Sequence, residues 1–166
     1  MITKYDDLIK KTVEKFLPSM DWRYLKAQLQ VESALNTEAT SAVGAMGIAQ
    51  FMPDTWGQMK KELNLPDNAS AYNEYFAIPA AAYYMQKLIA GWSAPRPDAD
   101  RYCLALASYN AGFGSLLKAQ KHAGGSNSYH KIIKHLHQTT GTHSKETIDY
   151  VDRIFKTFSE YLLKGR

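Results

Sequence analysis

The chain holds one cysteine, Cys103, among 166 residues. A lone thiol excludes an internal disulfide framework and a cysteine-based zinc site. Its apolar neighbours Tyr102, Leu104, Ala105 and Leu106 read as packing around a small thiol rather than as the setting of a nucleophile. No stretch approaches the ~20 apolar residues of a membrane-spanning helix, so stable membrane insertion is not expected. Met1–Lys15 has no apolar centre of the kind a secretory signal needs. Period-2 alternation is almost absent, as are internal repeats and low-complexity tracts. Metal-ligand spacing is missing too. All five histidines, His122, His130, His135, His137 and His143, fall in one basic segment, but His135 and His137 face different sides of a helix and no HExxH pattern occurs. They read as solvated surface, and neither a metal nor a cofactor is expected.

Hydrophobic content of 45% and charged content of 22% are enough to bury one sizeable core, and 12% aromatics argue against disorder. The length fits a single domain covering residues 1–166. The formal net charge is +4, and it is unevenly spread: residues 1–114 carry 11 basic and 12 acidic side chains, residues 115–166 nine and four. The positive field belongs to the C-terminal third and suits a polyanionic partner without naming one.

Helical periods run almost end to end. Tyr5, Ile9, Val13, Phe16 and Leu17 form a stripe ending at Pro18, and Asp21 stands where an N-cap opens a second helix through Trp22, Leu25 and Leu29 to about Leu35. Pro53 fits the first turn of a helix with Trp56, Met59 and Leu63. Further stripes follow at Ile78–Trp92, at Tyr102–Tyr109 behind a cap at Asp98 or Asp100, at Tyr129–Leu136 and at Ile148–Leu162. The expected fold is all-α, with about eight helices. Irregular chain is expected at 36–41, 65–71, 112–114, 124–127 and 138–143, each rich in Gly, Ser, Thr or Asn.

Glu32 departs most from its local pattern. It lies seven residues after Leu25 and three after Leu29, on the face that should be buried. Burial disfavours a charged carboxylate and moves its pKa toward neutrality, which suits a general acid; a surface Glu paired with Arg23 or Lys26 fits the pattern equally. The segment Gly44-Ala45-Met46-Gly47-Ile48-Ala49-Gln50-Phe51-Met52-Pro53 adds two glycines and one polar side chain, Gln50, among apolar ones. Glycines let backbone approach a ligand closely, and a buried amide must be paired or face a groove. No Lys-Ser or Lys-Thr follows, which weakens a phosphate-loop reading.

Four segments in register, Glu32-Ser33, Gly44–Gln50 followed by Met52-Pro53 and Thr55-Trp56, Ala107–Gly112, and Glu146-Thr147 with Tyr150-Val151, resemble the lytic transglycosylases with a goose-lysozyme-like catalytic domain. The resemblance covers Asp21 to about Ile154 and implies a lysozyme-like fold with a groove for peptidoglycan. It implies that Glu32 is the single catalytic acid and base. Ser33, Met46, Gln50, Met52, Tyr109, Asn110, Glu146 and Tyr150 are implied as substrate contacts. Departures occur at Ala77-Ile78-Pro79, where the family often has Asn-Ile; at Ser108, in place of an alanine; and at Ile48-Ala49, in place of Leu-Met.

Most glycosidases need a second carboxylate, as nucleophile or as the base for a water. Glu38, Asp54, Asp149 and Asp152 all read as solvated, so a one-carboxylate site must borrow its nucleophile from the substrate. In chemistry of the transglycosylase kind the N-acetyl carbonyl of muramic acid assists departure, and the C6 hydroxyl then closes a 1,6-anhydro ring. Three other readings remain at this stage: a muramidase on the same scaffold using a water activated by Asp54 or another carboxylate; an idle wall-binding or assembly protein; and, as a poorer fourth, a helical DNA-binding module. The expected partner is a glycan strand, not nucleic acid, and a monomer is expected. Without a leader of its own, the chain is expected to reach the wall as a phage or virion protein, through a secretion system, or as part of a longer precursor.

Overall fold

The computed structural model describes residues 2–165. Its helices are α1 (Asp6–Phe16), α2 (Trp22–Ser33), α3 (Pro53–Glu62), α4 (Glu74–Gly91), α5 (Asp98–Ala111), α6 (Phe113–His122), α7 (Tyr129–Ile133), α8 (His137–Thr140) and α9 (His143–Lys164). Extended pairing among the described residues is confined to the isolated bridges Thr40–Met46 and Met46–Phe51, so the fold is all-α as expected. No helix among the described residues is long and apolar enough to cross a membrane.

The chain gathers into two compact units. The first runs to Tyr84 and resumes at Ile154, and the second is Met85–Arg153. In the first, α1 packs on α2, and Ile9 and Val13 of α1 and Leu25 and Leu29 of α2 are all nearly or wholly buried. Asp21 caps α2 as its sequence position indicated, with the carboxylate accepting from the Arg23 backbone N–H at 2.9 Å. Tyr24 stacks flat on Phe158 with ring centroids 3.7 Å apart, and this pins the C-terminal half of α9 to α2 within the unit. Pro53 begins α3, and Trp56 inside it donates from Nε1 to the Ala69 carbonyl at 3.1 Å.

The second unit is centred on α5, whose Leu104–Ser108 are all buried. Helix α6 was not expected from the sequence. Its buried face consists of Leu116 and Ala119 alone, too sparse a stripe to register beside the glycines at 112 and 114. The two aspartates in the first turn of α5 also behave differently from the expectation. Neither caps the helix; Pro97 occupies the N-cap position, and Asp100 accepts from the Tyr129 backbone N–H at 2.8 Å, tying α7 to α5.

Candidate active site

Glu32 is the penultimate residue of α2 and is half-buried, next to a helix end that the chain stops abruptly. Ala34 and Leu35 both take left-handed backbone, with φ 55° and 59°. For residues with a Cβ this costs about 1 kcal/mol or more each, so surrounding contacts must enforce it. Ser33 supplies one such contact. Its Oγ donates to the Ile48 carbonyl at 2.8 Å and accepts from the Asn36 N–H at 3.2 Å, bringing the Gly44–Phe51 segment against the end of α2.

One and a half turns earlier, α2 is anchored by an ion pair inside the unit. Lys26 Nζ lies 2.8 Å from Asp6 Oδ1, with both side chains almost wholly buried. Burial alone would raise the Asp6 carboxyl, but hydrogen bonds from Lys26 and Thr3 and the Lys26 charge outweigh it and hold Asp6 below the ordinary aspartate value.

The Gly44–Phe51 segment is a turn shaped by its own backbone. Met46 and Phe51 exchange backbone hydrogen bonds at 2.9 and 3.1 Å, and the Gly47 N–H donates to the Ala39 carbonyl at 2.8 Å. Gly47, at φ +73°, sits so close to Ala71 that a Cβ would come within 2.0 Å of its carbonyl oxygen; no other residue fits without moving backbone. Gln50 also adopts positive φ, +50°. Its Nε2 donates to the Gly47 and Ala39 carbonyls at 2.9 and 3.2 Å, so this half-buried amide is a strut of the turn, with Oε1 the atom it has left for a ligand. Met46 is half-buried and Met52 is 42% exposed at the N-cap of α3. Thr40 and Tyr72 join through their hydroxyls at 2.7 Å, tethering the start of the same segment.

On the second unit, Tyr109 and Asn110 are half-buried at the end of α5, which stops where Gly112 takes φ 90°. Asn110 Oδ1 accepts from Thr147 Oγ1 at 2.7 Å, leaving its amide NH2 as the half available to a ligand. Thr147, quoted with Glu146 among the segments that carry the resemblance, was given no site role from the sequence, although a signal existed: it is a polar residue at a core position of the stripe Thr147, Tyr150, Val151 and Ile154, all buried. Tyr150 is 5% exposed, and Glu146 projects into solvent from the first turn of α9, 3.8 Å from His143 Nδ1. The departure at Ser108 has a structural reason. Its wholly buried hydroxyl accepts from Trp92 Nε1 at 3.0 Å and donates to the Leu104 carbonyl at 2.7 Å, satisfying an indole N–H that an alanine would leave unpaired.

The remaining chemically able groups are quiet. Burial first, then the negative charges of Asp100 and Asp152, push the Cys103 thiol up to about 11, where it stays protonated at neutral pH. Asp54, Asp149 and Asp152 are exposed. A depression of about 330 Å³ on the first unit is lined by Lys4, Lys10, Trp22, Arg23, Lys26 and Tyr161 among others. Two of its cations are already held: Lys26 pairs with Asp6, and Arg23 grips Asp21 through Nη2 at 2.6 Å.

A family model described as the transglycosylase SLT domain matches residues 8–132. The chain is 32% identical over 107 residues to the membrane-bound lytic murein transglycosylase F of Enterobacter sp. (strain 638), spanning 64% of this chain and 19% of that protein. To the protein of the same name from Actinobacillus pleuropneumoniae serotype 3 (strain JL03) it is 31% identical over 121 residues, 73% of this chain and 23% of the relative. The chain thus spans about a fifth of the length of these curated relatives. Among solved structures, an inactive mutant of the lytic transglycosylase Slt of Pseudomonas aeruginosa superposes with a TM-score of 0.74 at 20% identity, covering 97% of this chain and 24% of that one. The 70 kDa soluble lytic transglycosylase of Escherichia coli gives 0.66 at 23% identity, covering 92% and 24%. Both likenesses carry the all-α, lysozyme-like fold.

Proposed function

Because the chain belongs to the transglycosylase SLT domain family, we propose that it cleaves the β-1,4 bond between N-acetylmuramic acid and N-acetylglucosamine in peptidoglycan, leaving a 1,6-anhydromuramoyl end. The observation that carries this reading is the family match over residues 8–132, within which Glu32 is a half-buried carboxylate on a helix end locked to a glycine turn. A carboxyl fixed in position at a cleft can serve as the general acid for a leaving oxygen.

Glu32 first donates its proton to the glycosidic oxygen while the N-acetyl carbonyl of the muramic acid supports the positive charge growing at C1. The resulting Glu32 carboxylate then accepts the proton of the C6 hydroxyl as that oxygen attacks C1, so the enzyme ends as it began and no water is consumed. Gln50 through Oε1, Ser33, Met46, Met52, Tyr109, Asn110 through its amide NH2, Glu146 and Tyr150 are the proposed substrate contacts. The proposed place of action is the bacterial cell wall.

Mass spectrometry of the products released from purified sacculi tests the reaction directly. Anhydro ends, one water lighter than hydrolysed ends, are expected; hydrolysed ends would make the protein a muramidase on the same fold. Glu32→Gln should lower the rate about 10²- to 10⁴-fold with an unchanged helical spectrum. Turbidity loss that is indifferent to that substitution would remove Glu32 from the mechanism.

A further inference from the structure

From Arg101 to Lys145 the chain contains no aspartate or glutamate, yet residues 115–145 hold five lysines and all five histidines. The fold orders this composition. On α6 the exposed positions include Leu117, Lys118, Lys121 and His122, opposite buried Leu116 and Ala119. Along α7 and α8 the exposed positions are His130, Lys131, Lys134, His137 and Gln138, opposite buried Ile132, Ile133 and Leu136. Helix α6 packs against both α7 and α8, so the two basic stripes belong to neighbouring helices of the second unit. Among the described residues none of these four lysines has an ion-pair partner, and the acid-free run offers none nearby in sequence. A stripe of uncompensated like charge opposes compaction and is kept at a cost in stability.

We infer that this surface is a second binding site, built from none of the residues proposed for catalysis or sugar contact, that holds the protein on its substrate through the free carboxylates of the murein peptide stems. The inference rests on the proposed function for the identity of its partner. Lysines act as mobile point charges toward an irregular array of carboxylates, whereas phosphodiesters and bases are gripped by arginine forks and stacked aromatics. Residues 115–145 contain no arginine, and their one aromatic residue, Tyr129, turns its hydroxyl inward, where it is fully buried. That balance favours a carboxylate polymer over nucleic acid.

Co-sedimentation of the full chain carrying Glu32→Gln with purified sacculi, at rising sodium chloride, tests the site without needing cleavage. Binding should weaken steeply with salt. The combined change Lys118→Gln, Lys121→Gln, Lys131→Gln and Lys134→Gln should weaken it about tenfold or more, while the corresponding four arginine substitutions retain it. Sacculi whose carboxylates are amidated with a carbodiimide should lose the protein. Binding that ignores salt, survives amidation or is untouched by the glutamine substitutions overturns the inference, and so does tighter binding to a 30-base-pair DNA duplex or to anionic vesicles than to sacculi. Should the fourfold glutamine variant not fold, the pairs at 118/121 and 131/134 are read separately, and salt and amidation on the parent chain decide. Cleavage of a short soluble murein oligosaccharide should be unchanged by the lysine substitutions while KM on sacculi rises. If no substrate is cleaved at all, the proposed reaction fails while the co-sedimentation result still stands on its own.

Discussion

The two units hold their proposed functional residues by different means. Around Glu32 the holding is done by backbone: left-handed residues at Ala34, Leu35 and Gln50, a glycine at 47 that no side chain can replace, and carbonyls at 39, 47 and 48 that collect the side chains of Gln50 and Ser33. Around Asn110 it is done by one bond between two side chains, Thr147 to Asn110. Backbone-built geometry is shared among many bonds and is rigid, but a wrong Cβ has nowhere to go. A side-chain bond is cheap to lose and can be restored by any residue with the same hydroxyl.

The sharpest way to break this contrast is Gly47→Ala. Its Cβ would meet the Ala71 carbonyl, so a loss of about 4 kcal/mol or more in urea unfolding is expected. Gly44→Ala, where nothing lies within 4 Å and only φ +88° is unfavourable, should cost about 1–2 kcal/mol. Equal costs at the two glycines would mean that the turn is not built on close approach.

Next in size is Lys26→Met, which leaves Asp6 buried and without its cation; about 3–5 kcal/mol is expected at pH 7. The pH dependence has a definite sign. Asp6 is held below its ordinary value in the folded chain, so its contribution is present above the unfolded value of about 3.9 and fades as pH falls through the folded one. Parent and variant should therefore converge in stability below about pH 4, measured by denaturant titration. A gap that stays constant with pH would assign the loss to packing alone.

The smallest effect belongs to the second unit. Thr147→Val should cost about 1 kcal/mol and reduce turnover on sacculi, and Thr147→Ser should recover both. If serine fails to rescue, the methyl group in the core matters and not the hydroxyl on Asn110.

Much of this was legible from residue order alone, for reasons that differ by element. Asp21 before Trp22 and Pro53 before Asp54 announce helix starts because capping and a missing N–H act within one turn. The Gly44–Gln50 segment announced itself by composition, since glycines and one polar residue in an apolar run have few uses. Helix α6 was hidden because a two-residue buried face leaves no period to read, and Asp100 was misread as a cap because its partner, Tyr129, lies 29 positions away. The role of Gln50 was half legible: that its amide must be paired followed from its surroundings, but that Ala39 and Gly47 would pair it did not.

Local chemistry in the chain therefore determined the all-α class, the helix starts and the residue types offered for the proposed reaction, because each depends on neighbours within a turn or two. Which polar groups became struts and which kept an atom for a ligand was decided only on folding. Hydrogen bonds such as Ser33 to Ile48, Gln50 to Ala39 and Thr147 to Asn110 join residues 11 to 37 positions apart. A buried polar atom takes whichever partner packing delivers, and no short stretch of sequence contains that partner.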